Sequence, residues 1–183
     1  MQGDDTTLNN FINKIKIYKY KKNGLIVGKN FKCEKGVILE PSLPWLVEIG
    51  DNVTLAPYVH ILAHDASTKI ILGATKIGRV KIGDNVFVGA KSIILPNVKI
   101  GNNVIVGAGS VVTKSIPDNK VYAGVPAKEI MNIDEYLKKY KLKFSKNNFF
   151  EKKIKFGKKI FSKEQKKQIK TKLIENQDVL FIP

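Results

Sequence analysis

Residues 82–112 read IGDNVFVGAKSIILPNVKIGNNVIVGAGSVV, and an aliphatic residue returns at every sixth position. These aliphatic residues are Ile82, Val88, Ile94, Ile100, Val106 and Val112. A second small or β-branched residue stands four positions after each of the first five: Val86, Ser92, Val98, Val104 and Ser110. A helix repeats every 3.6 residues and a strand every two, so a strict period of six indicates short strands interrupted by regular turns. The stretch therefore predicts a parallel β-helix, in which each short strand forms one wall of a coil.

The same repeat starts earlier in the chain and is interrupted twice. Its first members are Val27, Cys33 and Leu39, which places the single cysteine at an inward position as a small core residue. Residues 40–48 break the phase, and the repeat resumes at Ile49, Leu55 and Ile61. The motif IGDN at 49–52 and 82–85 indicates one turn type that is used repeatedly and has a positive φ angle.

The second interruption lies between Ile61 and Ile82, and residues 64–80 carry no continuous hexad. An insertion in a solenoid maps to a loop that projects from one face, and long ordered loops tend to be functional. The two histidines of the chain, His60 and His64, stand at the start of this region. The sequence therefore predicts a functional loop here.

Charge is distributed unevenly along the 183 residues. The formal net charge is +16, and residues 132–183 hold 15 basic and 6 acidic residues, a net charge of +9. Such an excess attracts polyanions or anionic membranes, although a lysine-rich codon bias explains it equally well. The tail has no recognisable nucleic-acid-reading motif, so a nucleic-acid partner is not favoured.

The remaining composition favours the cytoplasm. One cysteine cannot form an intrachain disulfide, and it fits a reducing compartment. We find no secretory signal and no run of about 18 apolar residues that would span a membrane.

Three segments are expected: an N-terminal lead-in at 1–24, a β-helix at 25–131 with a projecting loop at 64–80, and a basic extension at 132–183. A short helix is expected around residues 8–15, followed by a strand edge at 17–20. Further helices are expected at 130–140 and at 162–174 in the extension.

Three motifs carry a resemblance to a known family: VEIGDNVTLAPYVHILAHD at 47–65, the long repeat at 81–117, and AGVPAKEI at 123–130. Together they resemble the hexapeptide-repeat acyltransferases, which fold as a left-handed parallel β-helix. Within that family the chain looks most like the sugar and polysaccharide O-acetyltransferases of the galactoside, maltose and xenobiotic type. The resemblance covers roughly residues 25–131 and leaves the basic extension outside it.

The resemblance implies acetyl-coenzyme A as donor, a hydroxyl or amine acceptor, and a homotrimer with active sites between subunits. It implies that His64 is catalytic and that an acceptor-side residue lies within 33–36, where Glu34 is the candidate. His60 stands one position before Ile61 and is interpreted as a structural or acceptor-lining residue. The asparagine that galactoside-type members carry in the region of 33–36 is not matched. The cofactor-lining residues that it implies are Ala90, Ala108, Thr113, Lys114 and Lys128. Family members often carry Arg where Lys128 stands.

The chemistry of acyl transfer suits this set of residues. A thioester is attacked by a hydroxyl group whose proton must be removed, and a neutral imidazole such as that of His64 accepts it near neutral pH. A backbone N–H group would stabilise the oxyanion. The adjacent Asp65 is a candidate for orienting the imidazole. Direct transfer is favoured over an acyl-enzyme because no Ser/His/Asp arrangement is evident.

Several alternatives remain open at this level. The acceptor could be an amino group of a nucleotide-linked sugar or a hydroxyl group of an antibiotic. A zinc enzyme on the same fold would have to use His60, His64 and Asp65, and no metal is expected because the chain has only two histidines. A non-enzymatic alternative is a basic module that binds polyanions or a membrane surface through residues 132–183.

Overall fold

The computed structural model describes residues 17–144 and 162–176. These residues fall into two units, which divide between Ile133 and Asp134. In the first unit, the described residues start with a helix, α1, at 17–22, and continue with sixteen short strands. The strands are β1 Ile26–Val27, β2 Lys32–Cys33, β3 Ile38–Leu39, β4 Val47–Ile49, β5 Thr54–Leu55, β6 His60–Ile61, β7 His64–Asp65, β8 Lys76–Ile77, β9 Val80–Ile82, β10 Phe87–Val88, β11 Ile93–Ile94, β12 Lys99–Ile100, β13 Ile105–Val106, β14 Val111–Val112, β15 Lys120–Ala123 and β16 Lys128–Asn132.

The chain visits three sheets in turn. The first sheet has the strand order β1-β4-β9-β12, the second β16-β15-β13-β10-β5-β2, and the third β14-β11-β6-β3. All neighbours in these sheets are parallel except β15 and β16. A strand from each sheet therefore makes one coil, and successive coils stack as the hexad predicted.

The core lies inside the coils and is built from the hexad positions. Ile82, Val88, Ile94, Ile100, Val106 and Val112 are all 1% exposed or less. The second set, four positions later, is equally buried, and it includes Ser92 and Ser110. Their hydroxyl groups donate to the carbonyl oxygen of Gly107 at 2.9 and 2.6 Å, so the two buried polar groups are satisfied. Cys33 packs half-buried against this core, as its register predicted.

The turn between the first and second sheets is occupied by a ladder of asparagines. Their φ angles lie between 54° and 61°, and each side-chain amide donates to the next side chain over 2.9–3.0 Å. The ladder consists of Asn30, Asn52, Asn85, Asn103 and Asn119. Asparagine tolerates the left-handed region, so the repeated IGDN and IGNN motifs form the positive-φ turns that the sequence predicted.

The coil continues beyond Val112, where the regular hexad ends. Ile116 forms a bridge to Ile100, and β15 pairs with β13, which together add most of another coil. The strand β16 then turns back antiparallel along β15. The predicted helix at 130–140 begins only at Ile133, because residues before it are held in this strand.

The N-terminal end of the described chain differs from expectation. The predicted strand edge at 17–20 is wrong, because α1 covers these residues. Tyr20 packs against the core, and its carbonyl oxygen accepts a hydrogen bond from Leu25 N at 3.0 Å. The helix expected at 8–15 lies outside the described residues.

The second unit contains α3 at Ile133–Phe144, which begins in the last residue of the first unit, and α4 at Lys163–Asn176. The second of these matches the charged helix expected at 162–174. Within the described part of the chain, every helix is too short or too polar to cross a membrane. Contact of this basic extension with a membrane surface stays a prediction.

Candidate active site

The projecting loop leaves the coil at the turn between the third and first sheets. Strands β7 and β8 form an antiparallel hairpin, and between them lie a 3-10 turn at Ala66–Thr68 and a short helix, α2, at Lys69–Leu72. At the base of the loop Gly78 N donates to Ala63 O at 2.8 Å, and this hydrogen bond joins the two ends of the loop. The loop therefore begins and ends at one corner of the coil, with His64 at its first strand.

Gly78, at the base of the loop, packs closely against the backbone of the next coil. A Cβ atom on Gly78 would lie 2.6 Å from the backbone nitrogen of Asn97, which cannot move without disturbing its own coil. We expect Gly78→Ala to destabilise the protein by about 1–3 kcal/mol and to displace the loop that carries His64. Thermal unfolding would be compared with that of Thr75→Ala, a change at an exposed position in the same loop. Unchanged stability in Gly78→Ala would contradict this close packing.

The imidazole of His64 contacts a buried carboxylate, that of Glu40. Its Nδ1 lies 2.9 Å from both Oε1 and Oε2 of Glu40. The side chain of His64 is 35% exposed, whereas that of Glu40 is fully buried. A carboxylate accepts and does not donate, so Nδ1 carries the proton and Nε2 is the basic nitrogen.

Glu40 is held by backbone donors as well as by the histidine. Its Oε2 accepts from Ala63 N at 2.6 Å, and its Oε1 accepts from Ser42 N at 3.3 Å. Burial alone would raise the pKa of Glu40, but these hydrogen bonds and His64 outweigh it and hold the pKa below its usual value. The carboxylate therefore stays ionised beside His64 at neutral pH.

Asp65 is the candidate that the sequence offers for orienting the imidazole, and the structure corrects this assignment. The Asp65 carboxylate pairs with Lys76 Nζ at 2.6 Å and accepts from Ser67 N at 2.8 Å. Lys76 holds the pKa of Asp65 far below its usual range. Asp65 therefore fastens the base of the loop, and Glu40 is the group on the imidazole.

Glu40 was missed because nothing in its local sequence marks it as functional. The signal was present in the repeat: Glu40 opens the first interruption, at 40–48, and His64 opens the second, at 64–80. Glu40 follows β3 and Leu62 follows β6, and these strands are paired in register through Leu39 and Ile61. Both interruptions therefore leave the coil at the same corner, one coil apart.

The residues expected to line the cofactor lie at two turns and on one strand. Ala90 and Ala108 occupy the turn between the second and third sheets in adjacent coils, where Gly109 N donates to Ala90 O at 2.8 Å. Thr113 and Lys114 are exposed at the next turn, which follows β14, and Lys128 is exposed at the start of β16. The structure brings the two alanines together as one wall of small residues.

The two residues predicted to lie on the acceptor side, Glu34 and His60, occupy different places. Glu34 is exposed directly after β2, and its backbone N donates to Leu55 O at 3.1 Å. His60 lies on the outer side of the third sheet, in register with Ile38 and Ile93. In the described ranges, 17–144 and 162–176, no group of three His, Cys, Asp or Glu side chains is placed to hold a metal ion.

Comparison with known proteins places the chain in a family. The model of the bacterial transferase hexapeptide (six repeats) matches residues 79–114. Protein CapG of Staphylococcus aureus is 43% identical over 122 residues, which are 64% of this chain and 69% of that protein. The chain belongs to the hexapeptide-repeat acyltransferases. The family predicted from the three sequence motifs is therefore confirmed.

Solved structures of this family include two similar acetyltransferases. A maltose O-acetyltransferase from Clostridium difficile 630 is 44% identical with a TM-score of 0.54, over 60% of this chain and 59% of that one. A galactoside acetyltransferase in complex with coenzyme A is 25% identical with a TM-score of 0.52, over 75% of this chain and 86% of that one. This hexapeptide-repeat protein thus spans about three fifths of the maltose enzyme. At the level of the family, the predicted acetyl-coenzyme A-dependent acyltransferase is confirmed.

Proposed function

We propose that this chain transfers an acetyl group from acetyl-coenzyme A to a hydroxyl group of a sugar or polysaccharide precursor, with His64 as general base. The observation that carries the proposal is the contact of His64 Nδ1 with the buried Glu40 carboxylate over 2.9 Å. This contact fixes the tautomer and leaves Nε2 on a half-exposed ring as the proton acceptor. The relatives' maltose and galactoside names favour a sugar acceptor.

The reaction proceeds in one transfer. His64 Nε2 removes the proton from the sugar hydroxyl as its oxygen attacks the thioester carbonyl, which forms a tetrahedral oxyanion. The C–S bond then breaks, the acetyl ester is complete, and the imidazolium returns the proton to the departing thiolate. The ionised Glu40 stabilises the imidazolium between these two steps, because it is a buried negative charge against Nδ1.

The wall formed by Ala90 and Ala108 supports an extended thioester arm. Small side chains in adjacent coils let a flexible chain lie close to the backbone, and coils are spaced by about 4.8 Å. Lys114 and Lys128 are exposed cations at the C-terminal end of the coil, suited to the phosphate groups of coenzyme A. By the family resemblance, the coil is left-handed.

We also propose that the protein is a homotrimer with its active sites between subunits. The loop that follows His64 carries large apolar side chains in water: Ile70, Ile71 and Leu72 are 94%, 84% and 71% exposed. Monomeric proteins rarely expose such clusters, and a second copy of the chain would cover this one. The loop would then bring the neighbouring subunit to the edge of the site.

Charging this loop tests the assembly. The double variant Ile70→Asp, Ile71→Asp is expected to shift the protein from trimer to monomer in light scattering and to lower acetyl transfer at least tenfold. Burying two carboxylates without partners costs more than an interface of this kind gains. Ile26→Asp is the matched control. Ile26 is also exposed, at 59%, but the residues aligned with it on the neighbouring strands of the first sheet are charged, namely Glu48, Lys81 and Lys99, so this face is not an apolar cluster. A wild-type protein that scatters as a monomer would contradict the trimer.

The function itself is tested by release of free coenzyme A thiol. Purified protein, acetyl-coenzyme A and a panel of simple sugars, amino sugars and nucleotide sugars are mixed, and thiol release is followed with a chromogenic disulfide. Mass spectrometry of the product should show the gain of one acetyl group, removable by mild base if it is an ester. A base-stable product would indicate N-acetylation of an amino sugar instead. Absence of sugar-dependent thiol release would overturn the proposal.

A further inference from the structure

The turn between the second and third sheets contains an aromatic residue in an unfavourable backbone conformation. Four coils place a residue in the left-handed region at this turn: Gly36, Tyr58, Lys91 and Gly109, with φ of 74°, 62°, 59° and 69°. Two of the four are glycines, for which this region carries no penalty. A bulky side chain adopts it rarely, and such outliers persist where they serve a function.

The ring of Tyr58 lies against a position that has no side chain. A Cβ atom on Gly36 would be 2.4 Å from the Cδ1 atom of the ring, so only glycine in the preceding coil leaves room for it. Tyr58 remains 54% exposed, and it does not belong to the buried core. The backbone is held by Tyr58 N donating to Lys35 O at 3.0 Å. The strained residue therefore presents a ring to solvent and contributes little to the core.

This ring stands beside the proposed cofactor wall, one residue further along the same turn. Lys91 N donates to Pro57 O at 2.9 Å, and Gly109 N donates to Ala90 O at 2.8 Å, so the same turn stacks from coil to coil. Pro57 thus continues the column of Ala90 and Ala108 by one coil toward the N-terminal end, and Tyr58 stands directly beside it, in the column of Lys91 and Gly109. The acceptor must meet the thioester beside this wall, and Tyr58 lies six residues before His64 in the same coil.

We propose that Tyr58 is a specificity residue that stacks on the apolar face of the acceptor's sugar ring; this rests on the proposed function. A pyranose presents C–H groups on one face, and an aromatic ring covers such a face while its hydroxyl group remains free to bond a sugar hydroxyl. A side chain whose backbone is fixed by the coil loses little freedom on binding. The strain at φ 62° is then the cost of holding this ring at the acceptor.

The test separates acceptor binding from folding. Tyr58→Gly, Tyr58→Phe and Tyr58→Trp are assayed with the best sugar found, starting from methyl β-D-galactopyranoside and maltose. In Tyr58→Gly we expect the KM for the sugar to rise about tenfold or more, with the KM for acetyl-coenzyme A unchanged. Its Tm should stay level or rise, because glycine relieves the left-handed backbone. The aromatic variants should keep a sugar KM close to that of the wild type.

Lys91→Gly is the matched control, since it relieves the same backbone conformation one coil further on and should leave the sugar KM unchanged. An unchanged sugar KM in Tyr58→Gly would overturn the inference alone. A lower Tm with both KM values raised would also overturn it, because the ring would then serve the fold. A wild-type protein that acetylates no sugar would overturn the proposed function and this inference with it.

Discussion

Replacing His64 by alanine is expected to lower kcat for acetyl transfer by roughly two to four orders of magnitude, the usual contribution of a positioned general base. Without the imidazole, the attacking hydroxyl group must lose its proton to water. The half-exposed ring lies outside the buried core, so the Tm and the oligomeric state of the wild-type protein should be retained. The measurement is thiol release from acetyl-coenzyme A at saturating sugar, together with light scattering and thermal unfolding.

Added imidazole offers an independent check on this variant. If the loss is chemical, free imidazole in the assay should restore part of the rate, and the restored rate should follow the deprotonated form of the imidazole as pH is varied. Near-wild-type turnover in His64→Ala would overturn its role as the base. A variant that unfolds or dissociates would show that the ring holds the loop instead.

Replacing Glu40 by glutamine is expected to have the second largest effect, a fall in kcat of roughly tenfold to a thousandfold. Glutamine keeps the shape but removes the charge that stabilises the imidazolium, and its amide N–H₂ can bond Nδ1 and select the wrong tautomer. It also turns a donor toward the backbone N–H of Ala63 or Ser42, each of which now donates to the carboxylate. One of these two backbone N–H groups loses its partner, and stability should fall by about 1–3 kcal/mol if it is the buried one of Ala63.

The acid side of the stability profile should change in the same variant. Since the folded pKa of Glu40 lies below its usual value, its contribution to stability is present above the unfolded pKa of about 4.3 and is lost as pH falls through the folded pKa. Glu40→Gln should therefore lose less stability between about pH 5 and pH 3 than the wild type does.

Glu48→Gln is the matched control for both measurements. Glu48 is paired with Arg79 and Lys81 on the first sheet, whereas His64 is bonded to Glu40. Arg79 and Lys81 also lower its pKa, so it should show a similar but smaller acid effect, with kcat unchanged. If Glu40→Gln and Glu48→Gln had the same activity, Glu40 would have no part in orienting His64.

The β-helix was predictable because its information is local. The inward residue at every sixth position and the asparagine at each turn recur within a few residues of one another. Stacking then follows automatically, since every coil presents the same pattern to its neighbour. The predicted positive-φ turns and the adjacency of Ala90 and Ala108 are both found in the structure.

The partner of His64 was not predictable in this way. Asp65 is its neighbour in sequence, but both residues belong to β7, and consecutive side chains of a strand point to opposite faces. Asp65 therefore turns to Lys76 across the hairpin. Glu40 is 24 residues away in sequence and reaches His64 only because β3 and β6 stack in register.

By itself the sequence determined the coil, its inward positions, its turns and the place of the loop that carries His64, because each depends on a short-range pattern repeated along the chain. Only the tertiary structure decided which carboxylate orients the histidine and where Tyr58 stands relative to the alanine wall. Each depends on residues from different coils that meet at one turn, between the third and first sheets for Glu40 and His64 and between the second and third sheets for Tyr58. Stacking of the coils sets those contacts without leaving a trace in local sequence.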